Sequence, residues 1–243
     1  MSEAERAERT AALIKEISES LELLESSLPR QVDGFALSQK SKLPWKALLY
    51  REALIWRIVE LGQTAFENLT SSNRVVSGIV LTRASVEVSM ALWYLYKRIE
   101  AVVDAKTVGD IDEYLMKLSM GTATGWPEMD SDGDPLMPRP VGIKMFRKQA
   151  EKDMPGYSHQ YGVLSEYTHP NWAGTVLLYS HTDTNTAITD FGSYMRSDAN
   201  AKGIGIINLS VALKMFHLAY NRITDLLPAF VRVCEDNQKS SDA

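Results

Sequence analysis

The chain has 243 residues, 45% of them hydrophobic and 23% charged, a balance that supplies a full core and excludes a mainly disordered polymer. Its 26 Lys and Arg against 31 Asp and Glu give a formal net charge of -5, which excludes a general polyanion binder coated in positive charge and confines any nucleic-acid contact to a local patch. Cys234 is the only cysteine, so an intramolecular disulfide framework and any CxxC metal or redox site are excluded, and the expected compartment is the cytoplasm.

The N-terminus, MSEAERAERT, is acidic and has no apolar run, which argues against a signal peptide. Residues 4 to 28 place Leu13, Ile14, Ile17, Leu21, Leu24 and Leu28 at three- and four-residue spacings, the pattern of an amphipathic helix stopped by Pro29. Residues 30 to 43 hold no sustained period and are expected to be a connecting loop, so that 1–43 form an N-terminal helix and linker. Charge changes sign at this point: residues 1–28 carry three basic and seven acidic side chains, and residues 30–57 carry six basic and two acidic.

Pro44 suits the first turn of a second helix, because its fixed φ is helical and its missing N–H would be unpaired there. That helix is expected to run to about Asn68, after which Thr70, Ser71, Ser72 and Asn73 supply turn and capping chemistry for a third, to about residue 103. Between Val75 and Tyr96 the only charges are Arg83 and Glu87. Such a helix is apolar all round and belongs at the centre of a fold. A membrane span is the competing assignment, but each mid-helix charge would cost about 2.5 to 3.5 kcal/mol on insertion, so a buried helix and no membrane are expected.

A fourth helix is expected over 108–120 and a fifth over 141–153, separated by the turn-rich stretch GTATGWPEMDSDGDPLMPRP. A sixth, YSHQYGVLSEYTH, is closed by Pro170, which pushes the preceding residue out of the helical region. The β-branched and aromatic runs around TDTNT predict one small hairpin near 174–194. The last helix, about 202–235, is apolar nearly all round, with Pro228 expected to kink or break it, and 236–243 are expected to be a disordered tail. The fold class is therefore all-α: one domain over 1–243, a bundle of six or seven helices with a hairpin insertion. No βαβ alternation, GxGxxG or GxxxxGK[ST] occurs.

Two constellations could carry chemistry. Arg83 and Glu87, at i and i+4, share a helix face with Val76, Val80, Met90 and Tyr94. Partly buried charges either pair with one another or face a ligand, so both a structural ion pair and a pocket-lining pair stay open. On the sixth helix, Tyr157, Tyr161, Ser165 and His169 recur every four residues, a polar face ending in the side chain type that titrates nearest neutral pH. A capping role for His169 is the alternative. Ser165 is within reach of His169, but no oxyanion donor set accompanies it.

Glu166 and His169 form an ExxH, a di-metal bundle spacing, with Glu52, Glu60 and Glu87 as further carboxylates but no second ExxH, and His159, His181 and His217 have no ligand spacing. No metal or cofactor is assigned. Asp130, Asp132, Gly133 and Asp134 lack the EF-hand positions and are expected to be a solvated acidic loop. Lys40, Lys42, Lys46 and Arg51 with Phe35, Trp45 and Tyr50 form a small basic and aromatic patch where phosphate contacts would be sought.

The segments TRASVEVSMALWYLY, with Arg83 and Glu87, and YGVLSEYTHPNWAG, with Ser165, Glu166, His169, Pro170 and Asn171, resemble the marker segments of an uncharacterised bacterial family of helical proteins. That family pairs R-x3-E with S-x3-H-P and is similar to the HEPN-type bundles of toxin and phage-defence systems. The resemblance implies a helical homodimer and metal-independent RNA cleavage, with histidine handling the 2′-hydroxyl proton and arginine the phosphate charge. HEPN ribonucleases carry that arginine four to six residues before the histidine; here it would come from Arg83 or another subunit. The expectation is a phosphate-bearing ligand or RNA, with His169, Arg83, Glu87 and Ser165 as catalytic residues and Tyr161, Glu166, Asn171 and Tyr157 as ligand-binding ones. Open beside it are a non-enzymatic protein-interaction module with a structural polar network and a metal-dependent bundle enzyme.

Overall fold

The computed structural model describes residues 2–123, 137–193 and 200–241. In chain order they form α1 (Glu3–Ser26), α2 (Gly34–Leu37), α3 (Leu43–Thr70), α4 (Val75–Ala105), α5 (Ile111–Ser119), α6 (Ile143–Asp153), α7 (Tyr157–Thr168), α8 (Val176–Tyr179), β1 (Ser180–Asp183), β2 (Ile188–Phe191) and α9 (Ala201–Ser241). Seven of these helices exceed one turn, in keeping with the predicted all-α bundle and its single hairpin.

The centre is α4, packed most extensively on α9 and α3, with α1 on the α3/α9 side and α6 and α7 on the other flank. Ile79, Met90, Leu92, Leu95 and Ile99 of α4 and Leu209, Phe216, Ile223 and Phe230 of α9 are fully buried. By length and composition α4 and Ala201–Asn237 could cross a membrane, yet 61% and 56% of their most apolar stretches are buried within the fold. Close approach of the three central helices depends on glycine. A Cβ at Gly78 of α4 or Gly205 of α9 would stand 2.6 or 2.7 Å from the Leu69 side chain of α3, which is itself fully buried.

Several boundaries differ from expectation for local reasons. Ser2 opens α1 through a capping box, accepting from Glu5 N at 3.2 Å while its own N–H donates to the Glu5 carboxylate at 2.6 Å. Within the expected linker, Asp33 Oδ1 accepts from Phe35 N and Ala36 N and nucleates the single turn α2. The Thr70–Asn73 cluster does not cap α4: the N-cap is Arg74, without a side-chain bond, and Asn73 adopts φ 51° to turn the chain. The expected first strand is largely the turn α8, leaving four-residue strands paired from Ser180 opposite Phe191 to Asp183 opposite Ile188. Pro228 lies inside α9 without ending it, and that helix runs past the predicted 235 to Ser241, with 242–243 outside the described residues. The acidic loop Asp130–Asp134 also lies outside them.

Candidate functional site

Arg83 and Glu87 lie on the flank of α4 that meets α6 and α7. Their side chains are 29% and 38% exposed, more open than expected because Val80, on the same stripe, faces solvent, while Met90 and Tyr94 further along are buried. The ion pair itself is long, 3.4 Å from Arg83 Nη2 to Glu87 Oε1. Tyr161 of α7 closes it: its hydroxyl donates to Glu87 Oε1 at 2.7 Å and accepts from Arg83 Nη2 at 2.6 Å. Arg83 Nη1 also donates to Thr168 Oγ1 at 3.3 Å, so the guanidinium bridges α4 to the last turn of α7. Burial, and then the bond to Glu87, raise the Tyr161 phenol above its usual range against the opposing effect of Arg83.

A second arginine joins this group. Arg147 of α6 places its guanidinium carbon 4.9 Å from the Tyr161 ring centroid, the same separation as that of Arg83, a distance at which cations are attracted to the ring. Nothing in the spacing of IKMFRKQAEKD marks Arg147 above its neighbours Lys144 and Lys148; the signal would have been that α6 is basic at four positions. Its two carboxylates are already engaged. Glu151 accepts from Gly156 N at 2.9 Å and Ser158 N at 2.7 Å, capping α7 from outside, and Asp153 accepts from Trp93 Nε1 at 2.7 Å and Gln149 at 2.8 Å, fastening α6 to α4. Lys144 and Lys148 stay exposed.

Among the described residues four buried side-chain polar atoms lack a hydrogen-bond partner: Thr82 Oγ1, Arg83 Nε, Arg147 Nε and Tyr157 Oη. All four belong to α4, α6 or α7. Burial alone raises the Tyr157 phenol, which stays a neutral donor.

The four-residue row on α7 does not stay together. Tyr157, Tyr161, Leu164 and Tyr167 are the buried positions, because each step of four overshoots a 3.6-residue turn by about 40° and rotates the row out of the interface. Tyr157 and Tyr161 are therefore inside, Ser165 is half-buried and His169 is exposed. Ser165 Oγ donates to the Tyr161 carbonyl at 2.9 Å, so the serine is tied to its own helix. His169 is the C-cap: its N–H donates to the Ser165 carbonyl at 3.2 Å, and its backbone turns to φ -86°, ψ 149°, as a residue before proline must. Glu166 is exposed and accepts from Asn171 Nδ2 at 2.7 Å, while Asn171 Oδ1 accepts from Gly174 N at 3.1 Å. These two brace the turn after α7. The ExxH gathers no further ligand: among the described residues no three His, Cys, Asp or Glu side chains could hold a metal together.

The basic and aromatic patch divides. Arg51 is buried with Glu52, bonding it through Nε at 2.7 Å, and Lys46 meets Asp112. Tyr50 is half-buried, and desolvation pushes its phenol up to about 12. Phe35, Lys40 and Lys42 remain exposed.

No family model, curated protein or solved structure matches the chain.

Proposed function

We propose that the protein binds a phosphate-bearing ligand, RNA foremost, at the α4/α6/α7 junction, as a HEPN-like helical bundle of the cytoplasm. The observation that supports this most is Arg83 and Arg147 over one Tyr161 ring, each with a buried and unpartnered Nε. A network built only for packing closes its buried donors. Glu87 stands beside Arg83 and Glu151 beside Arg147, Lys144 and Lys148 add positive charge at exposed positions of α6, and guanidinium is well shaped for bidentate contact with phosphate. His169 sits one residue beyond Thr168, the hydroxyl that Arg83 reaches.

In such a site Arg83 and Arg147 hold the phosphate and Glu87 with Tyr161 orients Arg83. Cleavage needs no water or metal in its first step. His169 accepts the 2′-hydroxyl proton, the 2′-oxygen forms a bond to phosphorus, and the bond from phosphorus to the 5′-oxygen breaks. That oxygen leaves as a hydroxyl with the proton that His169 took up, and a 2′,3′-cyclic phosphate remains. The roles in a defence system and in a homodimer rest on the resemblance of the R-x3-E and S-x3-H-P segments to that family.

A second reading has its own observation. Arg51, Glu52, Tyr220 and Thr224 repeat the same four residue types between α3 and α9: Tyr220 donates to Glu52 at 2.7 Å, Arg51 Nη1 donates to Thr224 at 2.9 Å, and the guanidinium carbon lies 4.3 Å from the ring centroid. Arg51 and Glu52 of that set are buried and bonded to each other, which favours a helix clamp and, by analogy, a structural Arg83 network in an interaction module. The experiment that separates the readings is binding and cleavage of a single-stranded RNA in EDTA by wild type, Arg147→Gln and His169→Ala, with folding followed by circular dichroism. The proposal predicts binding weakened in folded Arg147→Gln and any cleavage lost in folded His169→Ala. Absence of RNA binding by wild type favours the clamp.

A further inference from the structure

Away from that junction, a cavity of about 490 Å³ opens where the α2 loop meets the start of α3, lined by Gly34, Phe35, Gln39, Lys40, Lys42 and Trp45 among others. This size is in the range of small-molecule sites. Its walls combine two aromatic rings with two ammonium groups. Phe35 is 83% exposed, an unusual position for a phenyl ring with no protein surface to cover. Lys40 and Lys42 are exposed and have no acidic partner among the described residues.

The nearby carboxylates are held by neutral donors and form no ion pair with either lysine. Asp33 accepts from Phe35 N at 3.0 Å and Ala36 N at 3.1 Å, and Glu235 of α9 accepts from Ser38 Oγ at 2.7 Å. The first turn of α3 holds no acidic residue, and its N-cap, Lys42, makes no side-chain cap, so the positive end of a long helix adds to the lysine charge.

The cavity is also preformed. Ser38 Oγ accepts from Lys40 N at 3.2 Å and Ser41 N at 3.1 Å while it holds Glu235, which pins the loop to α9. Gly34 packs directly on Trp45: a Cβ there would stand 2.9 Å from Cγ and Cδ1 of the indole.

We propose that this cavity binds a mononucleotide unit, its base stacked on Phe35 and Trp45 with Gln39 at the base edge, and its phosphate on Lys40, Lys42 and the α3 N-terminus. Stacking on two rings selects a planar group, paired donors and acceptors of an amide suit a base edge, and two lysines without an ion pair select an anion. The site shares no residue with the α4/α6/α7 junction and stands or falls independently of it.

The test is isothermal titration of the full chain with AMP, adenosine and inorganic phosphate. AMP is expected to bind, with adenosine and phosphate each weaker by about tenfold or more, since each keeps only one half of the recognition. Phe35→Ala and Lys42→Gln, both at exposed positions that leave the fold intact, are expected to weaken AMP about tenfold, while Lys15→Gln, on the exposed face of α1, leaves it unchanged. Competition by a 5′-phosphorylated oligoadenylate would identify an RNA end as the source of the nucleotide, and its failure to compete would identify a free nucleotide. Absence of AMP binding at about 5 mM, AMP affinity indifferent to Phe35→Ala and Lys42→Gln, or phosphate binding as tightly as AMP would overturn the proposal.

Discussion

Tyr161 donates its hydroxyl proton to Glu87 Oε1 at 2.7 Å, one of the bonds that fix α7 to the charged stripe of α4. Because the Tyr161 hydroxyl oxygen accepts from Arg83 Nη2 at 2.6 Å, the phenol replaces the direct contact that Arg83 and Glu87 make only at 3.4 Å. Removing it leaves the ring, and with it both cation contacts, in place.

Tyr161→Phe is therefore expected to lower stability by about 1 kcal/mol, since Arg83 and Glu87 are open enough for water to take over. Tyr220→Phe is expected to cost about 2 to 3 kcal/mol, because it leaves the Glu52 carboxylate, 8% exposed, without that donor. Urea denaturation of the two variants compares them directly. Equal losses would mean that the two networks are equally closed, contrary to their burial.

The crossing of α3, α4 and α9 is tested at Leu69. Leu69→Ala is expected to cost about 2 to 5 kcal/mol through the cavity it leaves. Gly78→Val is expected to cost about 1 to 3 kcal/mol by overpacking, as even a Cβ at Gly78 stands 2.6 Å from Leu69 Cγ. Combined, the two changes should be less than additive, because the truncation makes room for the added side chain. Thermal or chemical denaturation of the single and double variants provides the cycle.

The central bundle was legible because Val75–Tyr96 and the last helix are apolar on every side, and no surface helix is. The hairpin was legible only as turn chemistry: TVLLY carries strand propensity, yet Val176–Tyr179 winds into a turn of helix, a tertiary override that propensity cannot anticipate. Arg83, Glu87 and Tyr161 were legible from spacing and do meet. His169 and Ser165 were grouped with them on a four-residue step, and the rotation of a 3.6-residue helix carries them away from the buried face. Arg147 was missed because it reaches Tyr161 from another helix, and nothing local in α6 distinguishes it.

His217 of α9 gives a pH signature. Burial lowers its pKa below the ordinary 6.5, so the unfolded chain binds this proton more readily than the folded one. The sign follows: its contribution is fully present above pH 6.5 and is lost as pH falls toward the folded value. Wild type is expected to lose stability more steeply as pH falls below 6.5 than His217→Gln, which keeps a hydrogen-bonding partner for Ser20, 2.8 Å from His217 Nε2, and does not titrate. Parallel stability curves for the two proteins would show that His217 is not the group responsible.

Two arginines that hold phosphate at the α4/α6/α7 junction would show themselves in the salt dependence of single-stranded RNA binding, followed by fluorescence anisotropy for wild type and Arg147→Gln. Each phosphate contact contributes about -0.7 to the slope of log affinity against log salt for a single strand. Arg147→Gln is expected to show a slope shallower by about that amount, together with weaker binding at every salt concentration. An unchanged slope and affinity in the folded variant would contradict phosphate binding there and leave the Arg83, Glu87 and Tyr161 set as a clamp between helices.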